Sequence, residues 1–480
     1  MDFYVIYPLV HKNKTMIFKE DTICAVATAM IDAGIGIIRI SGPRAIEFAD
    51  KLYIDVKGNH SLKDFKTHTI HYGFICDEEG NKVDEVMVSI MKAPKSYTRE
   101  DVVEINSHGG RLVMETILNL LVNIGCRIAE PGEFTKRAFL NGRIDLTRAE
   151  AVMDRIHAQN EFSMKNSEIQ LSGELFNKID SIRKEIIYEL AFIESAIDDP
   201  ENYDLDGYDE RLSEKNNDWL SKIEKLISNS NEGIIRKDGI NTVIIGKPNA
   251  GKSSLLNKLA GEERAIVTDI EGTTRDIIEE NIRLGDIILH VIDTAGIRDT
   301  DDVIEQIGVE RAIKSAETAD LILYIVDSTD DHLSEDERIK DIVNKKHVIV
   351  LLNKNDISDS ISISEEDIHN MYGSNISVIK TSMIDETGID ELKKIISDMF
   401  FDGAINPKEE VYVTNLRQRE ALIQSKLSLE KVKSSIEACM SEDFYSIDLM
   451  NAYYYLGEII GQEVDEDLVE EIFSKFCMGK

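Results

Sequence analysis

Gly246-Lys247-Pro248-Asn249-Ala250-Gly251-Lys252-Ser253 spaces glycines, a lysine and a hydroxyl as a phosphate cradle requires. An apolar run, Ile240 to Ile245, precedes it, and a helix-like stretch, Leu255 to Leu259, follows. A strand, a glycine-rich turn and a helix N-terminus aim backbone N–H groups and the positive end of a helix dipole at an anion. Lys252 then reaches the β- and γ-phosphates, and the Ser253 hydroxyl ligates Mg²⁺. Asp293-Thr294-Ala295-Gly296 ends a second apolar run, Ile287 to Ile292. It would set a carboxylate behind the Mg²⁺ and a backbone N–H against the γ-phosphate. Asn353-Lys354-Asn355-Asp356 ends a further strand, Val348 to Leu352. A carboxylate at Asp356 accepts from the ring N–H and the exocyclic amine of guanine. Adenine has no matching donor pair and would leave a buried charge unpaired, a penalty on the order of several kcal/mol. Three such motifs in order, each after its own apolar strand, point to GTP.

The hydrolytic chemistry is less direct. Gly272-Thr273-Thr274-Arg275-Asp276 fits a switch loop in which one threonine closes the Mg²⁺ shell while the γ-phosphate is present. Ras-like enzymes orient the attacking water with a glutamine just after Asp-x-x-Gly. Here that position is Ile297, an apolar side chain. Two groups could substitute. Asn249, inside the phosphate loop, could hold a monovalent cation against the phosphates, neutralising charge as an arginine finger does; it could equally be a loop-shaping polar residue. Glu305 follows the acidic stretch Asp299-Thr300-Asp301-Asp302 and could orient water when that loop closes; the alternative is a solvated surface charge.

These motifs need a mostly parallel sheet with crossover helices, expected over residues 238–402. On its N-terminal side, residues 16–142 alternate short β-rich runs (Ile35 to Ile40, His68 to Ile75, Val83 to Met91, Val102 to Ile105) with helical ones, an α+β pattern. Residues 143–237 are poor in glycine, and Leu175, Ile179, Ile182, Ile186 and Leu190 recur at helical spacing. Helix returns over residues 403–480. The fold class expected is therefore multidomain α/β and α: an N-terminal α+β domain, then a helical domain interrupted by an inserted Ras-like P-loop domain. Domain termini often lie close together, which permits such an insertion. Residues 1–15 are expected to be a disordered extension or an upstream start.

The chain of 480 residues carries 55 basic and 90 acidic side chains, a formal charge of −35. That argues against a generally basic nucleic-acid coat but leaves room for RNA on a local patch. Cys24, Cys76, Cys126, Cys439 and Cys477 are odd in number and widely spaced, which fits a reducing, cytoplasmic setting rather than a disulfide framework or zinc site. No apolar run reaches membrane-spanning length, so no membrane association is expected.

With further runs at both ends, these residues closely resemble the MnmE (TrmE) family of tRNA-modification GTPases over Met16 to Lys480. The matching runs are Gly36-Ile37-Ile38-Arg39-Ile40-Ser41-Gly42, Glu100 to Glu104 with His108-Gly109-Gly110, Pro131 to Phe134 continuing through Arg137 to Arg143, and the terminal Cys477-Met478-Gly479-Lys480. The resemblance implies a homodimer joined through its first domain. It implies a flavin-dependent partner (MnmG, or GidA) that carries the FAD, tRNA as substrate, and modification at carbon 5 of the wobble uridine. It also implies a folate, 5,10-methylene- or 5-formyl-tetrahydrofolate, held by Arg39, Glu104 and Arg143 with Lys480 nearby. A carboxylate can read the N–H donors of a pterin, and cations suit its glutamate tail. Potassium would activate hydrolysis, ligated by Asn249, Thr268, Ile270 and Thr273. Ser253 and Thr274 would ligate Mg²⁺, and Glu305 would position water. Nucleotide contacts would come from Asn249, Ala250, Gly251, Lys252, Ser253 and Ser254, then Thr268, Asp269, Ile270, Glu271, Gly272, Thr273 and Thr274. Asp293, Thr294, Ala295, Gly296, Asn353, Lys354, Asp356 and Ser382 would complete the set.

The chain departs from the family in its turn Met30 to Gly36, in Ser382-Met383-Ile384 as the fifth guanine motif, and in residues 1–15. Cys477 is a candidate nucleophile if Lys480 lowers its pKa; a terminus docked for structural reasons is the equal alternative. The competing function is an RNA- or ribosome-associated switch of the Era or Der type. Such proteins usually carry a basic RNA-binding domain or a second nucleotide domain, and neither is evident in this sequence.

Overall fold

The structure, a computed structural model, describes residues 21–199, 202–203, 206–262, 280–285, 287–292, 316, 319–330, 347–357, 362–373, 376–385, 387–401, 411–476 and 479. By their contacts these residues form two compact units: those up to Met153 together with those from Gly457 on, and Asp154–Leu456. Among the described residues no helix is long and apolar enough to cross a membrane.

The first unit is built on seven strands: β1 (Ile23–Val26), β2 (Ala33–Ser41), β3 (Tyr53–Asp55), β4 (Thr69–Cys76), β5 (Lys82–Met91), β6 (Val102–Gly109) and β7 (Arg127–Ile128), in the order β3-β4-β5-β6-β2-β1-β7. The pairing is antiparallel except for β1 with β7. Alternation along the strands sends Ile38, Ile40, Val86, Val88, Ile90, Val103 and Ile105 to one buried face. Helices α1 (Ala45–Leu52) and α2 (Arg111–Asn123) cover that face with Phe48, Leu52, Met114, Ile117 and Leu121. An α+β layer pair results.

The end of β1 carries a buried ionic knot. Arg137, on α3 (Glu133–Leu140), which α4 (Leu146–His157) follows in the chain, donates to Asp21 Oδ1 (2.6 Å), Glu133 Oε1 (2.9 Å) and Glu100 Oε1 (3.1 Å). Arg127 donates to Asp21 Oδ2 (2.6 Å) and Glu133 Oε1 (2.5 Å). Burial alone would raise the Glu133 carboxyl, but donation from Arg127, the Glu130 backbone N–H and Arg137 outweighs it and holds the group below its ordinary range. Gly132, before α3, is left-handed at φ 68°, and a Cβ there would lie 2.6 Å from the Phe473 carbonyl oxygen. Only glycine admits this turn and lets the helix Glu466–Ser474 approach so closely.

The second unit holds long helices, α5 (Glu161–Ser172), α6 (Glu174–Asp198), α7 (Tyr208–Asp238) and the helix Leu416–Glu437, with most of the helix Glu442–Ile460. Leu175, Ile179, Ile182, Ile186 and Leu190 form the buried stripe of α6. After α7 comes a six-stranded sheet: β8 (Ile240–Gly246), β9 (Glu280–Leu284), β10 (Ile287–Val291), β11 (Leu321–Asp327), β12 (His347–Asn353) and β13 (Ser377–Lys380). The order is β13-β12-β11-β8-β10-β9, parallel but for the edge strand β9. Ile244, Leu323, Ile325, Ile349 and Leu351 enter one core, and Val243, Ile245, Ile322, Tyr324, Val350 and Leu352 the other. The strands are buried on both faces, which explains their near-continuous apolar sequence.

The ionic knot gives a stability prediction. Arg137→Met takes a donor from the buried Glu133 and from the partly exposed Asp21 and Glu100, and should destabilise the chain by about 3 kcal/mol in urea unfolding. Because the folded pKa of Glu133 is depressed, its contribution is present above the unfolded carboxylate range and is lost as pH falls through the folded value. The wild-type urea midpoint should fall as pH drops below about 4, with a smaller fall in Arg137→Met. An equal acid response in both would remove this knot from the account.

Candidate functional site

In the second sheet β8 is flanked by β10 on one side and β11 on the other, so the strand order reverses at its carboxyl end. Ligands of open α/β sheets bind at that switch point. The turn after β8 lies there and leads into α8 (Lys252–Glu262), whose first turn includes Leu255 N–H donating to the Gly251 carbonyl (2.9 Å). Asn249 is left-handed at φ 62° and exposed, while Ala250 is buried. The Lys252 ammonium donates to the carbonyls of Gly246 (2.7 Å) and Lys247 (2.8 Å), curling over the loop. Burial lowers its pKa, since only neutral oxygens replace its water. A phosphate fits here: it would supply the negative charge that this cation lacks. Ser253 and Ser254 stand exposed at the start of α8.

The segment expected to read the base is tied to this loop. The Asn353 amide, at the end of β12, donates to the Ala250 carbonyl (2.8 Å). Its Oδ1 is buried with no hydrogen-bond partner among the described residues. Gly251 (φ 108°) passes so close that a Cβ would sit 2.1 Å from Asn353 Nδ2. Lys354 is left-handed at φ 62°, and its ammonium pairs with Asp327 at the end of β11 (2.5 Å). Burial would raise the Asp327 carboxyl, but Lys354 and Thr329 hold it below its ordinary range. Asp356 follows, exposed. Ser382 is buried in the turn after β13, where its Oγ accepts from the Asp385 N–H (3.2 Å). The preceding Thr381 donates its N–H to the Leu352 carbonyl (2.8 Å). The structure thus gathers Asn249, Ala250, Gly251, Lys252, Asn353 and Lys354 at the ends of β8 and β12, the two strands that flank β11.

In the first unit Arg39 on β2 is the register partner of Glu104 on β6. Arg39 Nε and Nη2 both lie on Glu104 Oε1 (2.9 and 2.8 Å), and Nη1 donates to the Gly479 carbonyl (3.1 Å). Gly479 packs tightly, since a Cβ there would meet the Val26 carbonyl at 2.4 Å. Arg143 donates to the Tyr97 carbonyl (3.0 Å) and lies over its ring (4.7 Å), which Arg39 also faces (5.9 Å). Sequence reasoning missed Tyr97: an aromatic residue in a loop gives no periodic signal. It also missed Asp327, whose pairing with Lys354 depends on β11 lying beside β12.

Thr268, Asp269, Ile270, Glu271, Gly272, Thr273, Thr274, Asp293, Thr294, Ala295, Gly296, Glu305, Cys477 and Lys480 lie outside the described residues, as do residues 1–15.

Family models match the chain in two stretches: "GTP-binding protein TrmE N-terminus" over residues 22–143 and "MnmE helical domain" over residues 146–477. The chain is 51% identical to the tRNA modification GTPase MnmE of Lachnoclostridium phytofermentans, over 96% of this chain and 100% of that protein. It is 46% identical to the protein of that name in Geobacillus thermodenitrificans and 44% identical to that of Staphylococcus aureus, each over 96% of this chain and 99% of the relative.

The bond between Asn353 and the phosphate loop is testable by calorimetry. Asn353→Ala should weaken GTP and GDP binding alike by about 1–3 kcal/mol. Gly251→Ala should abolish detectable binding, because its Cβ has no room. Unchanged affinity in either variant would refute the geometry.

Proposed function

The chain belongs to the MnmE family of tRNA-modification GTPases, and from that premise we propose that it is a potassium-activated GTPase modifying carbon 5 of the wobble uridine of certain tRNAs. In this reading it works with a flavin-dependent partner of the MnmG (GidA) type and a folate one-carbon unit. The observation that carries the reading is the likeness, over 96% of the chain, to relatives of that name, supported by a turn at the sheet's switch point that is tied through Ala250 to Asn353 at the end of β12.

Lys252 and the loop N–H groups hold the phosphates, and Asp356 reads the base. Ser253 and Thr274 are the proposed Mg²⁺ ligands. Asn249, Thr268, Ile270 and Thr273 are the proposed potassium ligands. Asn249 supports that role by its exposure and its left-handed backbone, which asparagine tolerates. A monovalent cation there supplies the charge neutralisation that Ile297 cannot. Glu305 is proposed to orient the water.

Arg39, Glu104, Arg143 and Lys480 are proposed to hold the folate, which supplies a one-carbon unit when bound. Among the described residues only Arg39 donates to Glu104, through a single carboxylate oxygen, and this leaves acceptor capacity for ring N–H donors. Cys477 is a proposed nucleophile. The chain is proposed to act as a homodimer joined through residues 16–142, with the helical parts 143–237 and 403–480 flanking the nucleotide domain 238–402.

Deleting the gene should remove the carbon 5 modification in tRNA mass spectra; an unchanged spectrum would overturn the reading. GTP turnover should be at least tenfold faster in potassium than in sodium, with the difference absent in Asn249→Ala; equal rates in both salts would exclude Asn249. Glu305→Ala should slow turnover while sparing GTP affinity, and a matching loss of affinity would contradict its role.

A further inference from the structure

On so acidic a chain, surface lysines are commonly held by carboxylates: Lys136 by Glu470, Lys165 by Glu161, Lys184 by Asp180, Lys222 by Asp218, Lys475 by Glu471. One end of the first sheet differs. The start of β4, the end of β5 and the start of β6 lie together there, as the pairs Thr69↔Ile90 and Met91↔Val102 show. The loops leaving that end carry Lys63, Lys66, Lys92, Lys95 and Arg99, and Arg143 stands beside them. All but Lys92 are exposed, Lys92 being partly so. Among the described residues none of these six is ion-paired, whereas the acids nearby are largely occupied. Asp101 accepts from the Ala93 N–H, and Glu100 is held by Arg137 and Ser41; Asp64 is the exposed exception.

The loops are fastened to one another, which fixes the backbone positions from which the charges project. The Lys92 N–H donates to Thr67 Oγ1 (2.9 Å) and its ammonium to the Lys63 carbonyl (3.2 Å). The His68 N–H donates to the Ile90 carbonyl (2.7 Å), and the Lys95 N–H to that of Lys92 (3.1 Å). Arg99 donates to the Asn141 carbonyl (2.8 Å), and Arg143 to that of Tyr97 (3.0 Å). The array therefore runs up to Tyr97, whose ring faces Arg39 of the Arg39–Glu104 pair. That pair lies two residues in from the same end of the sheet.

We propose that this basic lip, Lys63, Lys66, Lys92, Lys95 and Arg99, binds the phosphate backbone of the tRNA substrate and leads it toward the Arg39–Glu104 cluster. The proposal rests on the reading that tRNA is the substrate. Clustered cations without carboxylate partners bind a polyanion by releasing its counterions, without reading sequence. A local patch of this kind lets a chain of net charge −35 hold RNA.

The test is fluorescence anisotropy of labelled tRNA with the full-length chain and its flavoprotein partner, over 50 to 200 mM salt (a range of about fourfold, chosen for counterion release). Replacing Lys63, Lys66, Lys92 and Lys95 together by alanine should weaken binding at least tenfold at low salt. The slope of log affinity against log salt should flatten by roughly 0.7 to 0.9 for each phosphate that is no longer neutralised. GTP turnover and the thermal midpoint should not change. The gentler pair Lys66→Gln and Lys95→Gln, whose ammoniums make no hydrogen bond among the described residues, should move affinity and slope in the same direction by a smaller amount. Lys431→Ala with Lys433→Ala, likewise exposed and without an ion pair among the described residues but on the helix Leu416–Glu437, should do nothing. Wild-type affinity in the lip variants, or an equal loss in the Lys431 and Lys433 control, overturns the proposal. Intact tRNA binding with lost flavoprotein binding also overturns it, making the lip a protein interface. Absence of tRNA binding by the wild-type complex overturns the functional reading itself.

Discussion

The nucleotide site depends on one hydrogen bond, from the Asn353 amide to the Ala250 carbonyl. Isolated, such a bond contributes about 1 kcal/mol, but its position gives it more reach. It joins the end of β12 to the turn after β8, across the intervening β11. The register makes this possible: Gly246 sits opposite Ile325, and Asn353 opposite Asp327, so three strands end at a common level. The strand proposed to read the base and the loop proposed to grip phosphate are thereby tied together. Gly251 is the steric condition for that contact, and the Asp327–Lys354 pair holds the neighbouring side chain in the same layer.

The first unit uses charge in two ways. Arg137 is buried and satisfied by three carboxylates; it is a structural knot that orients α3 and the Glu133 turn. Arg39 is less crowded, shares one carboxylate oxygen of Glu104, and touches the Gly479 carbonyl. It keeps the hydrogen-bonding capacity that the knot has used up. The contrast explains why two arginines in family-matching runs take different parts, one holding the fold and the other available to a ligand.

Much of this was legible in the chain because apolar strands and glycine turns are local signals. The runs Ile240 to Ile245, Ile287 to Ile292 and Val348 to Leu352 appear as β8, β10 and β12 within one or two residues. The stripe from Leu175 to Leu190 is the buried side of α6. Cross-strand partnership was not legible. Nothing in the spacing of Asn353 and Ala250, 103 positions apart, announces their bond. Glu133 and Arg137 read as one more helical i, i+4 pair, although Asp21, Glu100 and Arg127 converge on them from elsewhere. The unpaired lysines at the end of the first sheet were hidden by the overall acidity, which is a sum over the chain and carries no position.

Asp356 is proposed to read guanine from a segment tied to the phosphate loop by the Asn353–Ala250 bond. The most direct test compares guanosine diphosphate with xanthosine diphosphate, whose ring bears a carbonyl oxygen in place of the exocyclic amine, on wild-type and Asp356→Asn protein. The account predicts that the substitution reverses the preference, from guanosine to xanthosine diphosphate, because an amide N–H can face the new oxygen while the phosphate contacts stay intact. An undiminished preference for guanosine diphosphate in Asp356→Asn, or equal loss of both ligands, would contradict it.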